Sequence, residues 1–449
     1  MRNISCLILT GILVLIQACS PTVARKPVFD VLEPASVLTL EQDTTIVLVR
    51  DYFPSLDKID RTESPHLKVV PSHGQDTVML ILREDTPLMT VLHVNSKGQA
   101  GDIPVRKITT HSEKSPRLAV FPALPDTDAL CTIRLENGPA TLYLFWQNSL
   151  VQTVRITDSY NVLLPGFTAL MDRSWIRVYA VNQSGNSNDL LIPLEKGRPV
   201  LKQDQIRRSD KQAQIMYQVF VDRFYNGNPS NDRRINSPEV HPKVDYYGGD
   251  LEGVVLKIKE GFFKELGVNT IWLSPITQNP YDAWGQIEDP KTKFSGYHGY
   301  WPLYITKVDE RFGNEQVLSE LLESAHSDKM NVILDHVANH MHINSPTLKE
   351  HPDWVTSPVT PDGRPNFELW DEFRLTTWFD KHIPKFDFSR QDVCQALSDS
   401  ALYWLQHFDI DGFRHDATKH IDKQFWRTLT RKIVKEFPER PVIQMGETY

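Results

Sequence analysis

Cysteine is scarce in this chain: there are four in 449 residues, and two of them, Cys6 and Cys19, fall within the first nineteen. Cys131 and Cys394 remain, too far apart in sequence to suggest a disulfide framework. Basic charge is not in excess either. The formal net charge is −8, which argues against nucleic acid as the main partner, since that partner calls for a basic face. No glycine-rich phosphate loop of the dinucleotide or Walker type is present, so the motif case for a nucleotide-dependent enzyme is missing. Beyond residue 19 no apolar run is long enough to span a bilayer. What remains is an ordinary globular composition, 40% apolar and 24% charged. The length suggests about three domains.

Residues 1–19 stand apart. Arg2 precedes an apolar run, Ile4 to Ile16, and then Gln17-Ala18-Cys19. A charged start, a short apolar stretch and a small residue before the cut read as a secretory signal. The segment Ile16-Gln17-Ala18-Cys19 resembles a bacterial lipoprotein cleavage box, which would leave Cys19 as the lipid-bearing first residue. An ordinary signal with an incidental cysteine is the alternative. Either implies export; the lipoprotein form implies anchoring in the periplasm or at the cell surface, with the membrane met only through the lipid.

From residue 20 to about 200 the pattern is β-type runs between Pro and Gly clusters. Examples are Thr45–Val49, Val78–Leu82, Ala140–Trp146, Val151–Ile156 and Trp175–Val181. Regular short strands with turn signals predict two β-sandwiches, 20–110 and 111–200, the second immunoglobulin-like. They would bind glycan or simply pack. The polar stretch Glu195–Lys211 reads as a linker. Residues 205–449 then alternate strand and helix. Strands are expected at Ile215–Val219, Asn269–Leu273, Asn331–Leu334, Asp411–Asp416 and Pro441–Met445. Helices are expected at Gly253–Leu266, Glu315–Lys329, Asp392–His407 and Lys423–Phe437. Such alternation predicts a parallel sheet, either a (β/α)-barrel of the TIM type or a doubly wound open sheet.

The strand ends carry the chemistry. Arg414 and Asp416 are two apart on a strand and share a face, so a guanidinium would lie beside a carboxylate and favour its ionised form. Alone, that pattern reads as a structural ion pair. Asp335-His336-Val337-Ala338-Asn339-His340 and Gly446-Glu447 close the neighbouring strands, and Asp416 to Glu447 is 31 positions, about one β-plus-α unit. Two carboxylates on one face, one ionised and one able to hold a proton, suit glycoside hydrolysis.

These segments resemble the signatures of the α-amylase family (glycoside hydrolase family 13). Asp335–His340 matches its D-x-x-x-N-H, Gly412–Asp416 its G-F-R-x-D and Gly446-Glu447 its G-E, in the family's order. Gly296-Tyr297-His298-Gly299-Tyr300-Trp301 resembles its loop after the second strand. The resemblance covers about Gln214–Tyr449. It implies cleavage of α-1,4-linked glucans such as starch or maltodextrin by a retaining mechanism. It makes Asp416 the nucleophile, Glu447 the general acid and then base, and Arg414 the group that orients Asp416, with Asp335 as a second partner. It also implies hydroxyl contacts from His298 and His340, ring stacking by Tyr300, and leaving-side contacts from Lys419 and His420. A transglycosylase would use the same residues. A non-enzymatic glycan-binding lipoprotein is the reading from another class.

A second likeness concerns calcium. Asn226-Gly227-Asn228-Pro229-Ser230-Asn231-Asp232 and Tyr247-Gly248-Gly249-Asp250 are rich in hard oxygen donors. They resemble the calcium segment of neopullulanase and cyclomaltodextrinase-like members, which implies Asn226, Asn228, Asn231, Asp232, Gly248 and Asp250 as ligands. Asn228 stands where those members have Asp, so one charge is missing. At the commoner amylase calcium site the matching stretch, Ile383–Asp387, has Lys385 where many amylases have an Asp ligand, and its ammonium would take the cation's place. An insertion, 341–384, carries Trp354, Trp370 and Trp378. The chain ends at Tyr449, after five strands. The resemblance implies three more β/α units, including an N-H-D segment with a third carboxylate, so little or no catalysis is expected of these 449 residues alone.

Overall fold

The structure is a computed structural model that describes residues 38–448, except 41–42, 54–55, 57, 73–75, 84, 108–111, 124–127, 148, 212 and 290. The leader and Cys19 lie outside the described residues. Among those residues no helix is long and apolar enough to cross a membrane. The chain divides into two compact units, Met1–Leu201 and Lys202–Tyr449.

The first unit is built from β-strands. Thr44–Leu48, Thr77–Leu82 and Leu67–Pro71 form one sheet, and Leu38–Leu40, Gln99–Lys107, Met89–Ser96 and Arg61–Glu63 another. Leu38, Val47, Phe53, Leu80, Leu92 and Ile103 share one core. Further along, Arg117–Pro122, Cys131–Glu136 and Ser159–Val162 make a three-stranded sheet, and a larger one is centred on Ala140–Trp146 and Arg173–Asn182. Ile133, Leu142, Leu144, Trp146 and Val178 fill the second core. Ala140–Trp146 is apolar on both faces for a reason: Leu142 and Leu144 enter that core, while Phe145 joins Met89, Val91 and Tyr179 in a separate cluster. Cys131 and Cys394 are free and buried in different units.

The division between the two units falls within Glu195–Lys211, where a linker was expected, and residues near both ends of the stretch bond within their own unit. Glu195 pairs with Arg198 to close the last hairpin of the first unit. Arg208, in the second unit, donates to Asp411 (2.7 Å) and meets His326 (2.8 Å).

The second unit contains five parallel strands, β1 (Met216–Val219), β2 (Thr270–Leu273), β3 (Asn331–His336), β4 (Gly412–His415) and β5 (Ile443–Gly446). Between them run α1 (Leu251–Lys259), α2 (Glu315–Ser327), α3 (Gln391–His407) and α4 (Lys423–Glu436). Spatial order follows chain order, β1-β2-β3-β4-β5, with no reversal. A doubly wound sheet would reverse at a switch point, so the order is that of a (β/α)-barrel. Every residue of β3 is buried, as expected of a parallel strand covered on both faces. The expected helix Gly253–Leu266 is broken: Gly261 takes φ +84° and starts a separate turn, Phe262–Glu265. A hairpin, Trp284–Glu288 with Lys291–Phe294, was not foreseen from the sequence. The insertion returns to the end of β3 through a bridge between His340 and Lys385.

Candidate active site

Register sets the geometry. Asp335 on β3 lies beside Arg414 on β4, and His336 beside His415. Asp416 and Glu447 are the first residues beyond β4 and β5. Gly412 opens β4 with φ +151°, and a Cβ there would lie 1.9 Å from the Ile443 carbonyl oxygen. Glycine is what lets β4 and β5 approach so closely.

Arg414 gathers three carboxylates. Its Nη1 donates to Asp335 Oδ1 (2.7 Å) and Oδ2 (2.9 Å) and to Asp416 Oδ1 (3.0 Å). Its Nη2 is paired with Glu447 Oε1, a partner sequence reasoning did not assign to it. Asp335 is held further by the Tyr300 hydroxyl (2.9 Å) and the Trp272 indole N–H (3.1 Å). Trp272 was missed because a tryptophan inside a strand reads as core. Glu447 Oε2 accepts from the Ala417 N–H (3.0 Å). Ala417 sits in the left-handed region (φ +50°), which costs a non-glycine residue about 1 kcal/mol or more and tends to mark functional turns.

One guanidinium cannot neutralise three carboxylates. Burial pushes Asp416 up to about 8; Asp335 adds to the rise, Arg414 pulls it down and Glu447 raises it again. Asp335 is pushed up to about 6, chiefly by burial, against the pull of Arg414. Arg414, expected to hold Asp416 ionised, thus pulls against burial and against two neighbouring carboxylates. Arg414 makes its two shortest Nη1 contacts with Asp335.

The histidines divide. His298 accepts from the Tyr300 backbone N–H at Nδ1 (2.9 Å), which assigns its proton to Nε2. Its ring lies near-parallel to Tyr300 (5.9 Å, 21°), and burial lowers it to about 3, so it stays neutral. His340 has both nitrogens engaged, Nε2 with the Tyr300 carbonyl (2.9 Å) and Nδ1 with Asn339 Nδ2 (3.2 Å). In this structure His340, expected to contact sugar, braces Tyr300. His420 is buried, with Nδ1 on the Arg374 carbonyl (3.1 Å). Lys419 is half-buried, and its carbonyl accepts from Arg374 (2.6 Å). Lys385 is fully buried, its Nζ donating to Asn339 Oδ1 and to the His420 carbonyl (2.7 Å).

The calcium-like segments also meet. Asp250 caps α1 and accepts from the N–H groups of Gly227 (3.0 Å), Asn228 (2.8 Å) and Gly253 (2.7 Å), and from Asn231 Nδ2 (3.3 Å). Asn226 Nδ2 donates to Asp232 (2.9 Å), and Asn228 Oδ1 accepts from Ser230 (2.6 Å). Gly248 adopts φ +91°, and a Cβ there would lie 2.4 Å from Asp232 Oδ1. Among the described residues no group of three or more His, Cys, Asp or Glu forms a metal cluster. Amide oxygens fall outside that set, and two of them, Asn226 Oδ1 and Asn231 Oδ1, are buried without a partner. Orphaned acceptors beside a carboxylate fit a hard cation.

Residues 218–444 match the α-amylase family, described as alpha amylase, catalytic domain. The intracellular maltogenic amylase of Bacillus subtilis (strain 168) is 31% identical over 253 residues, covering 52% of this chain and 38% of that protein. The cyclomaltodextrinase of Thermoanaerobacter pseudethanolicus is 30% identical over 249 residues, with 52% and 39% covered. A crystal structure of an Anoxybacillus α-amylase shares 32% identity at a TM-score of 0.44, covering 53% of this chain and 48% of that one. The chain thus spans under two-fifths of the length of these two relatives. With half of its residues matched to the catalytic domain, the chain belongs to the α-amylase family.

Proposed function

We propose that these residues cleave α-1,4-glucosidic bonds of starch- or maltodextrin-type glucans with retention of configuration. The observation that carries the reading is the single guanidinium of Arg414 holding Asp335, Asp416 and Glu447 at neighbouring strand ends. Two carboxylates on one guanidinium suit the closer spacing, about 5–5.5 Å, of a retaining pair. Substrate brings developing positive charge, which favours ionised Asp416 with the proton on Glu447. Glu447 then protonates the glycosidic oxygen as Asp416 attacks the anomeric carbon, releasing the leaving-side sugar and forming a glycosyl ester. Glu447, now a carboxylate, takes a proton from water, which displaces Asp416 and restores both groups. His298 Nε2–H would donate to a sugar hydroxyl, and Tyr300 would present its ring. Lys419 and His420 would lie on the leaving side.

The names of the maltogenic amylase and cyclomaltodextrinase relatives support this substrate class. A cyclomaltodextrin glucanotransferase of Bacillus sp. (strain 1-1), 27% identical over 271 residues, favours transglycosylation as the second reading; products longer than the substrate would select it. Calcium would be held by Asn226, Asn228, Asn231, Asp232, Gly248 and Asp250, fastening the 226–232 loop to the start of α1. Export as a Cys19-anchored lipoprotein belongs to the same proposal and rests on the leader sequence.

Maltosyl fluoride, whose leaving group carries no sugar, tests the nucleophile. In Glu447→Gln the ester should accumulate on the peptide containing Asp416, and Asp416→Asn should take no label. Whatever maltodextrin hydrolysis the 449 residues support should be lost in Glu447→Gln, which has no proton to give the leaving oxygen. Reducing-sugar release that survives Asp416→Asn would overturn the assignment. Starch binding with no release in any variant would instead select the glycan-binding alternative.

A further inference from the structure

We propose that Trp272 is a positioning residue for the cleaving pair: its indole fixes Asp335 and Arg414 together, and so sets how much of the guanidinium is left for Asp416 and Glu447. This rests on the reading of Asp416 and Glu447 as that pair. A tryptophan in an interior strand of a parallel sheet is expected to pack in the core. Ile271 and Leu273, on either side of it in β2, do so, and both are fully buried. Trp272 faces the other way, as strand alternation requires. It is half-buried and is not part of that core.

Register puts the indole beside the charges. Trp272 pairs with Ile333 of β3, and Asp335 is two residues further along on the same face. Nε1–H donates to Asp335 Oδ2 (3.1 Å), and the Arg414 guanidinium carbon lies 5.1 Å from the centre of the ring. One side chain thus touches both halves of the Asp335–Arg414 pair. Asp335 Oδ2 also accepts from Arg414 Nη1 (2.9 Å) and from the Tyr300 hydroxyl (2.9 Å). Arg414 is shared with the nucleophile, and Tyr300 is the ring proposed to meet sugar. Trp272 is the donor on Asp335 that neither task engages. An N–H on a carboxylate favours its ionised form, and an ionised Asp335 draws Arg414 to itself and, as a like charge, raises Asp416. Removing the N–H should therefore move the two carboxyls in opposite directions. Asp335 takes up its proton more easily, and Asp416, beside a neutral neighbour and a freer guanidinium, gives its proton up more easily. A tryptophan that only filled space would produce no such pair of shifts.

The test titrates both carboxyls by carbon-13 NMR of protein carrying carboxyl-labelled aspartate, with Asp335→Asn and Asp416→Asn assigning the signals. Trp272→Phe keeps a ring beside Arg414 and loses the N–H. Benzothienylalanine at position 272, the sulfur isostere of tryptophan, loses the N–H alone and keeps the shape. In both, Asp335 should titrate about one pH unit higher, the size of one lost hydrogen bond to a charge, and Asp416 should titrate lower. In Glu447→Gln protein the acid limb of Asp416 labelling by maltosyl fluoride should follow Asp416 down in pH. Unchanged titrations in the isostere protein, or two carboxyls that move the same way, overturn the role. Failure of maltosyl fluoride to label Asp416 while Trp272 is intact would count against the cleaving pair instead, and the NMR titration does not depend on it.

Discussion

A lysine ammonium out of contact with water is tolerated only where its protons are taken up by acceptors. Lys385 meets that condition through Asn339 and the His420 carbonyl, joining the end of β3 to the turn after Asp416. Burial lowers it to about 7 from 10.5, with Asp387 and Asp422 pulling the other way. The unfolded chain therefore holds more protons between those values. The stability linked to this group is full above about 10.5 and is lost as pH falls towards about 7. Replacing it by methionine leaves two buried acceptors unmatched, at about 1–3 kcal/mol each, set against the relief of burying a charge. Lys385→Met should lower the melting temperature by several degrees, and the gap to wild type should widen from pH 6 to pH 9. Equal melting at pH 9 would refute the bridging role. The sequence reading reached this lysine by comparison, whereas nothing in it foretold that Arg414 would also hold Glu447 or that Ala417 would turn left-handed. Those depend on how two strand ends meet.

At the scale of elements, β3 and β4 carry their charges on one face and imidazoles on the other. His336 and His415 lie 5.7 Å apart, and His415 packs on Trp426 of α4 (4.7 Å). His336 Nδ1 and both nitrogens of His415 are buried, and of the groups around His415 only the Gln444 side chain favours its protonation. Burial lowers His336 to about 4 and His415 to about 3, and the titratable groups acting on His415, His336 and Arg414, both oppose its protonation. Below about 6.5 the unfolded chain takes up protons that the folded one refuses, so stability is full above that pH and falls towards 4. At pH 5 each ring contributes a loss of roughly 2 kcal/mol. His415→Leu should therefore reduce by about 2 kcal/mol the stability lost between pH 7 and pH 5, read from urea midpoints, and parallel curves would refute it. The period of apolar residues made all five parallel strands and four long helices legible, within a few residues at each end. It could not show the break at Gly261, nor the Trp284–Phe294 hairpin, whose pairing depends on neighbours distant in sequence. The unit boundary falls inside the polar Glu195–Lys211 stretch, and what periodicity could not show is that Glu195 and Arg208, near its ends, bond within the folded units.

At the scale of the whole molecule, the first unit is stabilised by its own sheet cores, while the proposed calcium ligands all lie between Asn226 and Asp250 in the second. A cation bound only by the folded second unit would stabilise that unit alone, by about 2.7 kcal/mol at a hundred times the dissociation constant. For a body of 150–250 residues this amounts to about 5–10 °C. Chelation should therefore lower the calorimetric transition of the second unit by that order and speed hydrogen exchange in 226–250. Exchange in Met89–Ser96 and Gln99–Lys107 should not change. Asp232→Ala should melt the same with and without calcium. Asn228→Asp restores a ligand charge and should bind calcium more tightly. Indistinguishable melting of the wild-type protein in calcium and in chelator would mean that Asn226 Oδ1 and Asn231 Oδ1 await something other than a cation.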